Sequence, residues 1–183
     1  MRITGLDLSL VSTGVAGYRI TDGPARVWVD RIDGKPWSSL PTMRRLRTIR
    51  AHVLEHVRDA DLVVVESLAL SRQTGQHLTR AGLWHMVMER VDTLDIPWCE
   101  VSPTTLKKYA TGRGNAGKDE VLAAVVRRYP DVEVTGNDDA DALVLVAMAA
   151  HHYQVSTLPT VPASHAAALD KVNWPEIEKG HGT

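Results

Sequence analysis

The chain has 183 residues, a formal net charge of −1, 44% hydrophobic residues and 23% charged residues. This length suits one domain with a sizeable core, and no apolar run approaches the length that spans a bilayer. The near-neutral charge excludes a protein that grips nucleic acid with its whole surface, but it leaves room for a local basic groove.

Residues 2–9 read as an apolar strand that starts almost at once, which leaves no room for a signal-peptide pattern. A turn at Ser12-Thr13-Gly14 leads to a second strand over 15–20, and Asp22-Gly23-Pro24 turns the chain into a third over 25–32. After a loop over 33–41, Thr42 is placed to cap a helix that runs to Arg58 with Met43, Leu46, Ile49, Val53 and Val57 at helical spacing. Residues 61–66 read as a buried parallel strand, with the uninterrupted apolar run Leu62-Val63-Val64-Val65 between two acids. A polar loop over 67–75 precedes a helix over 76–94. Its Leu83, Trp84, Val87, Met88 and Val91 offer more apolar surface than one core stripe needs, so it is expected to form much of a dimer interface. A strand over 96–101 holds Cys99, read as a small core residue. It is the only cysteine, so no internal disulfide is possible, which suits a reducing cytoplasm. Ser102 and Pro103 then open a short helix, 111–117 is a glycine-rich loop, 118–129 is a helix, and Asp138 is expected to cap a last helix to Tyr153. The order βββαβαβααα predicts an α/β fold with a mixed sheet flanked by helices. From Ser156 the composition turns to Pro, Ala, His and Gly, so residues 1–155 read as the folded domain and 156–183 as an extended tail whose Trp174 could dock on the body.

Four carboxylates stand at informative places in this order. Asp7 lies within the first strand, Glu66 ends the buried one, and Asp138 and Asp141 are three residues apart at a helix start. Read singly, Asp138 and Asp141 also fit a helix-capping arrangement and Glu66 a strand-end surface charge. Asp7 is the hardest to explain that way, because an ionised carboxylate in an apolar strand is costly unless something positive meets it. Taken jointly, the four point to a divalent cation held by oxygens, and two such ions about 3.5–4 Å apart are what phosphodiester cleavage uses. Asp139 stands between two of the acids, and its share in such a site is open. His52 and His56 are also spaced to bind a metal, but no third ligand is suggested near them. Arg44, Arg45, Arg47 and Arg50 crowd one helix, either to follow a DNA strand or as a plain solvated face.

The chain resembles the RuvC-type Holliday junction resolvases of the ribonuclease H-like nucleases. The matching pieces are Gly5-Leu6-Asp7-Leu8-Ser9 with Thr13-Gly14, Val65-Glu66-Ser67, the long segment from Ser102-Pro103 through Lys107-Lys108 and Gly112-Arg113-Gly114 to Glu120-Val121, and Asp138-Asp139-Ala140-Asp141-Ala142-Leu143. The resemblance implies a five-stranded mixed sheet, three antiparallel strands followed by two parallel ones. It also implies a homodimer and a magnesium-dependent endonuclease acting on four-way junctions, with two ions for which Mn²⁺ would substitute. The family's acidic ligands fall on Asp7, Glu66, Asp138 and Asp141, and its functional lysines on Lys107 and Lys118. Ser12, Thr13, Lys108 and Arg113, together with Leu68, Ala69 and Leu70, join the lysines as expected DNA contacts. A nuclease for RNA–DNA hybrids and a non-catalytic binder of branched DNA are the competing readings; a sugar kinase or actin-like ATPase would need a second lobe that this length does not hold.

One departure bears on selectivity. Three residues after the glutamate, the family carries a phenylalanine that wedges the junction open. Here Ala69 stands there, between Leu68 and Leu70, and the chain has no phenylalanine at all. Action on forks and flaps alongside four-way junctions is the expectation that follows.

Overall fold

A computed structural model describes residues 1–20, 24–68, 75–155 and 157–177. Its strands are β1 (Arg2–Asp7), β2 (Ser12–Arg19), β3 (Arg26–Asp33), β4 (Leu62–Glu66) and β5 (Trp98–Val101). They form one sheet in the order β3-β2-β1-β4-β5, with β1 antiparallel to β2, β2 antiparallel to β3, and β1, β4 and β5 mutually parallel. The expected mixed sheet is thus present. Its helices are α1 (Thr42–Val57), α2 (Gly75–Thr93), α3 (Pro103–Thr111), α4 (Lys118–Arg128), α5 (Asn137–His152) and a short α6 (Ala163–Ala166).

Side chains alternate across a strand, so each strand divides its residues between two cores. Leu6, Val15, Val63 and Val65 face α1 and α2. Ile3, Ala16, Tyr18, Leu62 and Val64 face α3, α4 and α5. By the same parity, Gly5 and Asp7 in β1, Gly14 in β2 and Glu66 in β4 all turn toward α5. Helix α5 is apolar on every side, and Ala142 to Ala150 are all buried, as befits a helix covered by sheet on one face and by helices on the other.

Several boundaries differ from the sequence expectation. The first strand ends at Asp7, so that acid lies at a strand end rather than mid-strand. The second starts at Ser12, because Ser12 and Thr13 already pair with Asp33 and Ile32 of β3. Pro41, not Thr42, occupies the cap position of α1, and no side chain caps it. The cap of α5 is Gly136, which places Asp138 inside the first turn and removes its capping role. Ser102 does cap α3, accepting a hydrogen bond from the Thr105 N–H at 3.1 Å.

The apolar residues on which the dimer-interface expectation for α2 rested are committed elsewhere. Leu83, Trp84, Val87, Met88 and Val91 are all buried against α1 and the sheet. The sheet's second face needs two helices to cover it, which is why this apolar surface is larger than a single stripe. Within the segment expected to trail as an extended tail, residues 157–177 carry α6 and lie on the body: Val161, Ala168 and Val172 are buried, and Trp174 stacks on His152 with ring centroids 4.7 Å apart. Cys99 is buried in the core as expected.

Helix α5 approaches β1 closely enough that a methyl group at Gly5 would stand 2.4 Å from the Ala142 carbonyl oxygen and 2.9 Å from Val146 Cγ2. Backbone cannot yield as a flexible side chain does. We therefore expect Gly5→Ala to destabilise the fold by about 1–3 kcal/mol, read as a shift of the urea unfolding midpoint at unchanged slope.

Candidate active site

The site lies where the C-terminal ends of β1 and β4 meet the first turn of α5. Leu6 pairs with Val65, so Asp7 and Glu66 follow side by side in parallel strands and on the α5 face. The indole of Trp84 donates to the Glu66 carbonyl at 3.2 Å and fixes the end of β4 against α2. Across from Asp7, Gly14 leaves the gap into which α5 descends, since a methyl there would lie 2.0 Å from the Asp138 carbonyl oxygen. The turn of α5 then carries Asp138 and Asp141 to the same place. One cavity of about 250 Å³ is lined by Asp7, Glu66, Asp138, Asp141, Lys107, Lys118 and Arg80, among others.

All four acids and both lysines singled out in the sequence therefore meet in one cavity. Lys107 comes from α3 and Lys118 is the first residue of α4, so each reaches the acids from a different helix. Three of these acids hold protons abnormally well, burial being the first cause. The Asp141 carboxyl is pushed up to about 7, chiefly by burial and then by the Asp7 charge, with Lys118 and Lys107 acting against the rise. The Glu66 carboxyl is raised by burial, by the Asp7 charge and by a hydrogen bond to Asp7; that of Asp7 is raised by burial, against the pull of the Glu66 hydrogen bond and of Arg80.

Asp139, although flanked by site acids, faces the other way. Its Oδ1 accepts from Arg31 Nε at 3.1 Å; its Oδ2 accepts from Arg31 Nη2 at 2.6 Å and from the Thr135 N–H and hydroxyl. Burial alone would raise this carboxyl, but Arg31 and Thr135 outweigh it and hold it below the ordinary value. The pair ties β3 to the start of α5.

The sequence reading missed Arg80. From α2, its Nε donates to the Leu8 carbonyl at 2.8 Å, and its Nη2 lies 3.5 Å from both Asp7 Oδ1 and Glu66 Oε2. Among 183 residues, an arginine on a helix surface gives no signal that it will turn inward; only the packing of α2 on the sheet brings it there. As they stand, no three of the described histidine, cysteine or acidic residues are arranged to hold a metal ion. The donor set nevertheless fits a hard divalent cation: it is all oxygen, and three of its carboxyls are buried enough that a nearby positive charge would favour their ionised form.

The expected DNA contacts fall into groups. Lys107 and Lys118 line the cavity, while Arg113 pairs with Glu120 at the start of α4. Lys108 is half-buried on α3. The Thr13 hydroxyl is buried, donating to the Ser9 carbonyl at 2.8 Å and accepting from the Ser9 N–H at 3.1 Å, so it closes the turn after β1. Ser12 is half-buried beside it. Leu68 packs against the apolar cluster under α1 and α2; Ala69 and Leu70 lie outside the described residues. His52 stacks on Trp37 and His56 faces Asp30, so the two imidazoles serve separate contacts. On α1, Arg45 donates to the Leu10 carbonyl at 2.6 Å, and Arg44 and Arg47 are exposed. No described helix is long and apolar enough to cross a membrane.

Comparison with known proteins gives a consistent answer. No family model matches the chain. The crossover junction endodeoxyribonuclease RuvC of Rhodopseudomonas palustris is 27% identical over 154 residues, covering 83% of this chain and 88% of its own length. The RuvC of a Bradyrhizobium strain is 26% identical over 160 residues, covering 86% of this chain and 91% of its own. Among solved structures, Thermus thermophilus RuvC superposes with a TM-score of 0.65 at 21% identity, over 87% of this chain and 100% of that one. Fowlpox virus resolvase with its Holliday junction DNA superposes at 0.59 and 12% identity, over 84% and 99% of the two chains.

The raised carboxyls set a pH dependence for the metal-free protein. Folded Asp141 titrates near 7 and its ordinary value is 3.8, so the folded chain binds more protons than the unfolded chain between those values. Stability then falls as pH rises through that window. Melting in EDTA is expected to occur at lower temperature at about pH 8 than at about pH 5, with Asp141→Asn removing part of the fall.

Proposed function

We propose that this chain, a RuvC-type protein, is a magnesium-dependent endonuclease that cuts Holliday junctions and other branched DNA by phosphodiester hydrolysis. The observation that carries the reading is the meeting of Asp7, Glu66, Asp138 and Asp141 with Lys107 and Lys118 in one cavity. The four carboxylates would hold two magnesium ions, for which manganese can substitute, and the bound ions would activate water and stabilise the leaving oxygen.

The protein's own contribution is orientation and charge. Asp7 and Glu66 are fixed by adjacent parallel strands, and Asp138 and Asp141 by one helical turn, so all four belong to rigid elements. Lys107 and Lys118 approach from two other helices, suited to neutralise the scissile phosphate as charge builds in the transition state. They also add salt-sensitive affinity for the backbone, to which Lys108 and Arg113 would contribute, with Ser12 as a neutral hydrogen-bonding contact. Thr13 acts behind them by holding the turn. A four-way junction presents two symmetric cuts, so a two-fold homodimer would supply two matching sites. Such an enzyme works in the cytoplasm, where its one thiol stays reduced.

Asp7→Asn keeps the side chain's shape and removes its charge. Cleavage of a four-way junction in magnesium should fall roughly 10²-fold or more, while junction binding measured in calcium or EDTA stays near its starting value. Near-normal turnover would overturn the assignment of the acids. Parallel assays on a linear duplex and an RNA–DNA hybrid separate the proposed substrate class from that of its ribonuclease relatives.

Selectivity follows from Ala69. A ring that stacks on an exposed base contributes about 1–3 kcal/mol; alanine offers no such contact, and the side chain of Leu68 is already packed against the core. Forks and flaps should therefore be cut alongside four-way junctions. Ala69→Phe is expected to raise the rate on the four-way junction relative to the fork by about tenfold. An unmodified protein that already prefers the four-way junction by about a hundredfold, near the upper limit of one stacking contact, would mean that another element opens it.

A further inference from the structure

The Arg80 head group is held in an unusual compromise. Its Nε–H is anchored on the Leu8 carbonyl at 2.8 Å, a good hydrogen bond to a backbone atom just past β1. Its Nη2, by contrast, stands 3.5 Å from Asp7 and 3.5 Å from Glu66, at the outer limit of hydrogen bonding to either. The guanidinium is therefore positioned by backbone and acts on the two acids through charge. Arg80 lines the cavity with its side chain 34% exposed, while Asp7 and Glu66 are 6% and 12% exposed. A permanent positive charge thus stands beside the two acids that come from adjacent strands, brought by a helix on the opposite face of the sheet from the helices that carry Lys107 and Lys118.

We propose that Arg80 is a built-in counter-charge of the carboxylate cluster: it stabilises the metal-free fold and weakens the binding of divalent cations, so that the site loads only at higher ion concentration. Two consequences follow from Coulomb's law. With no ion present, the guanidinium offsets part of the repulsion among Asp7, Glu66, Asp138 and Asp141 and supports the folded chain. When a dication enters, the same charge repels it, because the Leu8 carbonyl keeps the head group from swinging far. Arg80 is a positioning residue in this scheme, acting on the ligands rather than on the DNA. It rests on the reading of the four acids as cation ligands given above.

The test separates charge from shape. Arg80→Gln keeps an N–H donor that can reach the Leu8 carbonyl but removes the charge; Arg80→Lys keeps the charge but loses the planar fork. Manganese binding to the DNA-free protein is followed by paramagnetic resonance of free Mn²⁺, and melting is measured in EDTA and with excess Mn²⁺. Arg80→Gln should tighten Mn²⁺ binding about tenfold, the effect of one solvent-screened unit charge near a dication. It should also melt earlier in EDTA and gain more from Mn²⁺ than the unaltered protein does. Arg80→Lys should bind Mn²⁺ much as the unaltered protein does. Unchanged or weaker binding by Arg80→Gln, with binding by the unaltered protein intact, overturns the counter-charge and leaves the metal site standing. Equal tightening by both variants would trace the effect to side-chain shape and likewise overturn it. If the unaltered protein binds no Mn²⁺ and Asp7→Asn makes no difference, the cation site itself fails and the counter-charge with it.

Discussion

Helix α5 lies so close to β1 and β2 that methyl groups at Gly5 and Gly14 would meet its backbone at 2.4 Å and 2.0 Å. The contact at Gly14 is with the carbonyl of Asp138 itself, so the gap left by one missing side chain sets how far the first turn of α5 descends onto the strand ends. Asp7 and Glu66 can share a cavity with Asp138 and Asp141 only because that descent is allowed. The burial of α5 along most of its length holds it there, since each apolar residue of the helix resists withdrawal.

The closeness has an electrostatic consequence. Burial first, and then the charge of neighbouring acids, raises the Asp141 and Glu66 carboxyls, and burial raises that of Asp7. The fold meets this with positive charge from several directions: Arg80 from α2, Lys107 from α3 and Lys118 from α4. Such a cluster is less stable alone than with cations bound, and ion binding and folding are therefore thermodynamically linked.

Asp138 and Asp139 show how a one-residue step separates two uses of the same chemistry. Successive helical residues point about 100° apart, so Asp138 faces the cavity while Asp139 faces β3. There Arg31 takes both carboxylate oxygens, and Thr135 adds two hydrogen bonds. The outward acid ties the helix start to the sheet and thereby steadies its inward neighbour. The Thr13 hydroxyl plays a comparable supporting part, closing the turn that follows Asp7.

Much of this was legible in the chain itself. Apolar periodicity gave the strands, the helices and their order, since burial of alternate or every third-to-fourth residue leaves a direct mark on sequence. The four acids stood out because charge at strand ends and helix starts is conspicuous against apolar runs, whereas the two lysines were marked by the family resemblance alone. What sequence could not supply was direction and distance. The inward turn of Arg80, the pairing of Asp139 with Arg31, the commitment of Leu83, Trp84, Val87, Met88 and Val91 to their own core, and the return of the C-terminal segment onto the body each join residues far apart in the chain. Their energies come from contacts that exist only once the sheet has formed and α2 and α5 have settled on its two faces. Local sequence determined which groups were available; the close packing of helix on sheet decided which of them meet.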